Sequence, residues 1–244
     1  MLNIVSWNIR RSKKALAHAI DRLDADILIL QESSLPDGPP LGLNCIGGHI
    51  GERGSKYTWG THIISPHSLE PVDIDTEYKG SMSVGICHLP NNKRLGLVNI
   101  YGMFERHPAK PSKPMANLGI HRKLSDVGWW LSGRVGPKVD GFILAGDFNN
   151  DRKMDVDPNF GPRHGNSSST MLNRVVDFGL TEVLAEKYRD GIQTHWHVRS
   201  KKQWQIDHLF VSPKLLGKKW DVEVPREKAK RSSSDHAPII LTIS

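Results

Sequence analysis

Cysteine is almost missing from this chain: Cys45 and Cys87 are the only two in 244 residues, and neither sits in a CxxC pair. Two isolated thiols cannot form a disulfide framework, and they give zinc-ribbon or thioredoxin-like chemistry no footing. Both are expected to be reduced, with Cys87 buried in a strand. Long apolar runs are missing too, since nothing approaches the ~20 residues that a membrane-spanning helix needs. In the opening MLNIVSWNIRRSKK the short apolar stretch precedes the basic one, the reverse of a secretory leader. A soluble, cytoplasmic protein with no membrane partner is the expectation. There is no internal repeat, no low-complexity tract and no shift of composition that would mark a linker. Residues 1–244 are therefore read as one domain, monomeric and without an obligate protein partner. The 38% of hydrophobic residues suffices for a core that needs no staple.

Acidic residues are in short supply relative to basic ones, 26 against 33, which leaves a formal charge of +7. An excess of this sign favours a polyanionic partner, because every neutralised phosphate releases condensed counterions. Part of the excess lies in two runs, Arg199–Lys202 and Arg226–Arg231, which read equally as solvated loop faces or as phosphate contacts.

What is present is an alternation of short β-rich runs with a few helices. Strands are expected at Leu2–Trp7, Asp26–Gln31, Thr58–Ser65, Met82–His88, Leu95–Ile100, Phe142–Ala145, Thr194–Val198, Ile206–Val211, Asp221–Val224 and Ile239–Thr242. Asn91-Asn92 supplies turn chemistry between the fourth and fifth. Helices are expected from Ser12 to about Leu23 (Leu16, Ile20 and Leu23 on one face), over Pro114–Leu131, and over Thr170–Phe178 with Gly179 as its C-cap. The Pro/Gly-rich stretches Pro36–Gly48, His107–Pro114 and Asp155–Ser169 read as surface loops. So many strands interleaved with three or four helices predict an α/β, four-layer sandwich, two packed mixed sheets flanked by helices.

Polar residues recur where strands end, the place from which a rigid scaffold holds a reactive group. The first strand runs into Trp7-Asn8, the second into Gln31-Glu32, and FILAG delivers Asp147 and then Asn149. The strand through Ile206 carries Asp207-His208, and Ser234-Asp235-His236 precedes the last strand. Taken singly, Asn8 and Asn149 read as turn residues, Asp147 as a side-chain cap and His236 as a loop histidine. Five such clusters at five strand ends read as one site.

The series WN, ILQE, GDFN, IDH and SDHAPI, in that order from Ile4 to Ile239, resembles the endonuclease/exonuclease/phosphatase superfamily, the DNase I and exonuclease III fold. LVNIYG and HWHVRSKKQWQID are similar to further segments of that family. The resemblance implies that Glu32 ligates Mg²⁺ (or Mn²⁺) with Asn8 close by, and that Asp147 and Asn149 flank the attacking water and phosphoryl oxygens. It implies Asp207 at or near the metal, so the metal set is Asn8, Glu32, Asp147, Asn149 and Asp207. It places Tyr101 near the phosphate and has Asp235 orient His236. Asp147 is read as the general base and His236 as the electrostatic group. Where repair members of the family carry an acidic residue, this chain has Arg10, which disfavours a second metal and offers either a phosphate contact or a salt bridge. Arg122 and Trp204 are candidate substrate contacts, Trp204 as a stacking surface. His121 is a lesser candidate, Trp129 and Trp130 read as packing, and His18 and His164 have no metal-ligand spacing.

The expected function is divalent-metal-dependent hydrolysis of phosphodiester bonds, a nuclease on DNA or RNA by first preference. A phosphatase on a small or lipid-like phosphoester is the alternative. A binding module that kept the fold would be expected to have lost part of the set Glu32, Asp147, Asn149, Asp207 and His236, all of which are present.

Overall fold

The computed structural model describes residues 1–35, 38–50, 58–107, 110–160, 167–196, 202–217, 219–226 and 234–244, leaving aside the side chains of 106, 107 and 110–116. Two six-stranded mixed sheets carry the molecule. The first, in spatial order, contains β13 (Trp220–Glu223), β14 (Ile239–Ile243), β1 (Leu2–Asn8), β2 (Ile27–Ser33), β4 (Gly60–Ser65) and β3 (Asn44–His49). The second contains β11 (Thr181–Glu182), β12 (Asp207–Val211), β10 (Gly141–Asp147), β7 (Arg94–Tyr101), β6 (Met82–His88) and β5 (Ser68–Pro71). β1 runs parallel to β2 and β10 parallel to β7, while every other pairing is antiparallel. A small ribbon pairs β8 (Glu105–His107) with β9 (Lys110–Met115).

The period of two along each strand sorts side chains between layers. On β1, Ile4 enters the core between the sheets, while Val5 and Trp7 face outward to α1 (Lys13–Arg22). On β10, Ile143 and Ala145 face between the sheets, while Phe142 and Leu144 pack under α2 (Ala116–Leu131) and α3 (Ser167–Asp177). Helix, sheet, sheet and helices make the four layers the alternation predicts. Ser12 caps α1 by accepting from the Ala15 amide (3.1 Å). The residues α1 buries fully are Ala15 and Ala19, with Leu16, Ile20 and Leu23 half-buried beside them. Small side chains four residues apart let the helix sit close on the sheet, and the larger ones close its flanks.

Several expectations are corrected. The loop expected at Pro36–Gly48 contains the start of β3, and His107–Pro114 contains most of β9. β5 and β11 also form where no strand was expected. Of Thr194–Val198, the described residues form no strand but a single-residue bridge, His195 pairing with both Trp204 and His236. The third helix begins at Ser167, earlier than expected, and Gly179 lies beyond its end at φ +83°. The hairpin at Asn91-Asn92 joins β6 to β7, with Asn92 at φ +62°. No described helix is long and apolar enough to cross a membrane.

Candidate active site

The register of the second sheet lines up three of the expected residues. Asp147, last on β10, stands opposite Asp207 on β12 and opposite Tyr101 on β7. Each continues the inward-facing set of its strand, so all three emerge at one end of the inter-sheet core. In the first sheet Asn8 continues the inward set of β1, and its neighbour across the ladder is Gln31. Beneath them a buried amide layer ties the sheets together: Gln31 Nε2 donates to Asn99 Oδ1 (2.8 Å), and Asn99 Nδ2 donates to the Leu30 and His62 carbonyls (2.9 and 3.1 Å).

Glu32 does not follow the alternation. Leu28 and Leu30 face α1, and strict alternation would send Glu32 the same way. Instead the β2–β4 register breaks between Leu30 and Ser33, and Glu32 takes the left-handed conformation, φ +46°. The bulge re-aims the carboxylate into the site, a use of backbone strain typical of functional positions. Asn149, just beyond β10, is also left-handed at φ +50°. Gly146, before Asp147, has φ +149°, and a Cβ there would lie 1.8 Å from the Ile100 carbonyl oxygen, so only glycine lets β10 approach β7.

The polar contacts join these residues into one cluster. Asn8 Nδ2 donates to Glu32 Oε1 (3.1 Å) and Asp147 Oδ2 (2.9 Å), while its Oδ1 accepts from the Arg10 amide (2.9 Å). The Asn149 amide donates to Asp147 Oδ1 (2.8 Å), and its Nδ2 donates to the Gly102 carbonyl (3.0 Å) and Asp147 Oδ2 (3.3 Å). Tyr101 donates its hydroxyl to Glu32 Oε1 (3.2 Å). Burial, with Asp147 and Glu32 nearby, pushes the Tyr101 phenol up, so it is neutral and a donor.

The carboxylate that orients His236 is Asp207, not Asp235 as expected. His236 Nδ1 donates to both Asp207 oxygens (3.0 and 2.9 Å), fixing the ring with Nε2 turned to the cleft. Asp207, expected at or near the metal, is engaged with the imidazole. Asp235 pairs instead with Arg10 (2.9 Å), which realises the salt-bridge reading of that arginine. Burial lowers the His236 pKa, but Asp207 and Asp147 outweigh it and push the group up to about 9. Burial raises Asp147 to about 6, with Asp207 adding and His236, Asn8 and the Asn149 amide opposing. His236 Nε2 and Asp147 Oδ2 are 3.9 Å apart, beyond a direct hydrogen bond and open to one intervening oxygen.

The substrate candidates divide. Trp204 is bridged to His195, which is itself bridged to His236, and lies edge-on to Phe160 (5.8 Å), with Lys202 Nζ 5.8 Å over its ring. Lys202 is also paired with Asp157. Arg122 is committed elsewhere, to Glu105 Oε2 (3.2 Å) and the Tyr78 hydroxyl (3.3 Å). Trp130 is core, whereas Trp129 is 39% exposed. Arg199, Lys201, His164 and most of 226–231 lie outside the described residues.

Sequence reasoning missed three groups. His195 lies with its ring 4.5 Å from that of His236, and the HWH run was the available signal. Arg11 reaches Glu32 Oε2 at 3.8 Å. Lys123 is fully buried and donates to the Tyr101 carbonyl (3.0 Å), with burial lowering its pKa to about 8. Its spacing three residues after Ile120 and four before Val127, on the buried face of α2, was the available signal.

The set suits a hard divalent cation. Asp147, Asp207 and His236 present ligand atoms within 4.8 Å of one another. Glu32 and Asp147 flank the Asn8 side-chain NH2, which donates to both. Two carboxylates set this close together favour a cation between them, and the donors they offer are oxygens rather than thiolates.

Comparison with known proteins agrees with this geometry. The sequence profile of the endonuclease/exonuclease/phosphatase family matches residues 5–236. No curated protein matches the chain. Among solved structures, an AP endonuclease from Archaeoglobus fulgidus is similar over 100% of both chains, at 18% identity and TM-score 0.70. The 3′-5′ exonuclease NExo from Neisseria meningitidis is similar over 100% of both chains at 21% identity and TM-score 0.70. A structure titled as 3′ phosphatase NExo from Neisseria bound to product DNA hairpin gives 21%, again over 100% of both chains, at TM-score 0.71. Identities this low carry the fold alone.

Proposed function

The chain belongs to the endonuclease/exonuclease/phosphatase family, and on that premise we propose that it is a divalent-metal-dependent nuclease that hydrolyses phosphodiester bonds in DNA, with residues 1–244 acting as one catalytic domain. Hydrolysis of phosphoesters is the family's chemistry. The observation that carries the finer reading is the convergence, at one end of two sheets, of Asn8, Glu32, Tyr101, Asp147, Asn149, Asp207 and His236.

In this reading Glu32 and Asp147, with Asn8 and Asn149 beside them, would hold Mg²⁺ or Mn²⁺, which when bound would supply positive charge to offset that of the phosphodiester. Asp147 accepts the proton of the attacking water, its carboxylate being held at the cleft by Asn8 and the Asn149 amide. His236 Nε2–H, kept protonated and aimed by Asp207, donates to a phosphoryl oxygen in the gap before Asp147. The Asn149 amide holds Asp147 in place, and the Tyr101 hydroxyl faces the same cleft. Arg10, 53% exposed beside Asp235, adds positive charge at the rim. The basic charge of +7 and the Trp204–Lys202 patch favour a polymeric anion over a small ester.

The test is to incubate the protein with plasmid, single-stranded DNA, RNA and bis(p-nitrophenyl) phosphate, in EDTA and then with Mg²⁺ or Mn²⁺. Metal-restored cleavage of DNA is expected, and Glu32→Gln should blunt the metal response without unfolding the chain. Full activity in chelator would refute the mechanism. Turnover of the small ester with no cleavage of any polymer would replace the nuclease by a phosphatase.

A further inference from the structure

A second set of donors borders this centre. His195, Asp235 and His236 present one ligand atom each, all within 4.8 Å of one another, in a nitrogen-nitrogen-oxygen combination unlike the carboxylates around Asn8. His195 Nε2 lies 3.8 Å from Asp235 Oδ2, and His236 Nε2 lies 4.0 Å from Asp235 Oδ1. The rings of the two histidines are 4.5 Å apart, held by the antiparallel bridge between residues 195 and 236. That bridge is braced on both sides: the Trp196 amide donates to the Asp235 carbonyl (2.8 Å) and the Ala237 amide to the Thr194 carbonyl (2.8 Å).

We propose that His195, Asp235 and His236 form a binding site for a borderline transition-metal ion of the Zn²⁺ class, distinct from the all-oxygen set at Glu32 and Asp147. Two imidazoles with one carboxylate are a donor set that Zn²⁺ and Co²⁺ take in preference to Mg²⁺. The surrounding groups are those that a metal-binding histidine needs. Asp207 accepts the Nδ1–H of His236, which fixes the tautomer that leaves Nε2 to a metal, the carboxylate–histidine–metal pattern. Arg10 holds Asp235 by Oδ2 at 2.9 Å, which anchors the carboxylate beside both histidines. Tetrahedral zinc with bonds of about 2 Å separates its ligand atoms by about 3.4 Å. The three ligand atoms, all within 4.8 Å of one another, therefore close on an ion with small side-chain rotations. Three protein ligands leave a fourth position turned to the cleft.

The consequence for catalysis rests on the function proposed above. There, His236 Nε2 carries the proton that faces the phosphate, and a metal on the same atom replaces it. Zinc should then inhibit turnover supported by Mg²⁺.

The experiment titrates the metal-free protein with Co²⁺ and reads its visible d–d absorption, with Zn²⁺ and Mg²⁺ as competitors, for wild type, His195→Phe and His195→Gln. With Mg²⁺ saturating the carboxylate site, one Co²⁺ with intense tetrahedral absorption is expected per chain, displaced by equimolar Zn²⁺ but not by a hundred-fold excess of Mg²⁺, with affinity at least ten-fold lower in both variants. Equal Co²⁺ affinity in wild type and a folded variant, or displacement by Mg²⁺, would overturn the site. Two substitutions of different shape keep the test alive if one fails to fold. Turnover is measured alongside, and Zn²⁺ inhibition should weaken by a similar factor in the variants. Binding with unchanged turnover at saturating Zn²⁺ would count against the role of His236 and leave the site standing, so the two failures are distinguishable.

Discussion

Replacing His208 by Phe should destabilise the protein by about 3–5 kcal/mol, although His208 touches no substrate. It follows Asp207 on β12, so its side chain goes to the opposite face of the sheet, among Phe148 and Phe210 (ring centroids 5.3 and 6.0 Å away). There its Nε2 donates to the Asn150 carbonyl (2.9 Å) and its Nδ1 lies 2.7 Å from Glu182 Oε1. With acceptors at both nitrogens the ring carries two protons, and Glu182 is its counter-ion; the residues are 1% and 4% exposed. Burial alone would raise Glu182, but His208 and Arg152 hold it down at about 2. Against an ordinary value of 4.5 that depression, which His208 shares with Arg152, is worth on the order of 3 kcal/mol, so the loss of His208 belongs at the lower end of the range. The aromatic surroundings accept a Phe ring, so the loss isolates the charge rather than a cavity.

For a chain of this size the shift in melting temperature is on the order of 10 °C. The pair also sets a pH window. The depressed Glu182 contributes above pH 4.5, and that contribution is lost as pH falls toward about 2. His208 is raised by Glu182 against the opposing effect of burial, so it contributes fully below 6.5 and fades as pH rises through its folded value. Thermal denaturation across pH should therefore show wild type and His208→Phe converging at both extremes and furthest apart between about pH 4.5 and 6.5. The double variant His208→Phe/Glu182→Met should recover much of the loss, since apolar replacement of a whole buried pair is often neutral. A shift under 3 °C for the single variant, flat with pH, would refute the buried-pair argument.

Asp207→Asn should lower kcat by about a thousand-fold or more with little change in KM, because the amide cannot hold His236 in the required tautomer; steady-state kinetics on a single oligonucleotide reads both. Gly146→Ala should destabilise by about 3 kcal/mol or more, given φ +149° and a Cβ 1.8 Å from the Ile100 carbonyl oxygen; urea denaturation tests it, and a normal midpoint would contradict the close strand approach. Raising salt from 50 to 200 mM should raise KM for DNA about ten-fold or more while leaving a one-phosphate ester nearly unaffected. Lys202→Ala/Trp204→Ala should flatten that dependence, and an unchanged slope would remove this patch from the interface.

How much of the site could be read in the sequence depended on whether it obeyed a local rule. Asn8, Asp147 and Asp207 extend the inward phase of apolar strands, Ile4 to Asn8, Ile143 to Asp147 and Leu209 back to Asp207, so periodicity alone pointed them at one layer. Glu32 breaks that phase, and only a left-handed residue in a bulge brings it in, which no glycine advertises. The β3 segment NCIGGH and the β9 segment KPSKPM looked like loops because glycine and proline weaken a strand, yet both lie at sheet or ribbon edges where those residues are tolerated. The partner of His236 was misassigned for a related reason. Asp235 is adjacent in the chain, but backbone direction turns it toward Arg10, while the sheet carries Asp207 to hydrogen-bonding distance across 29 residues. Strand ends are legible because they depend on the strand that carries them. Pairings between strand ends depend on register and on bulges, so Asp207, His195 and the left-handed Glu32 acquire their meaning only when the two sheets are placed face to face.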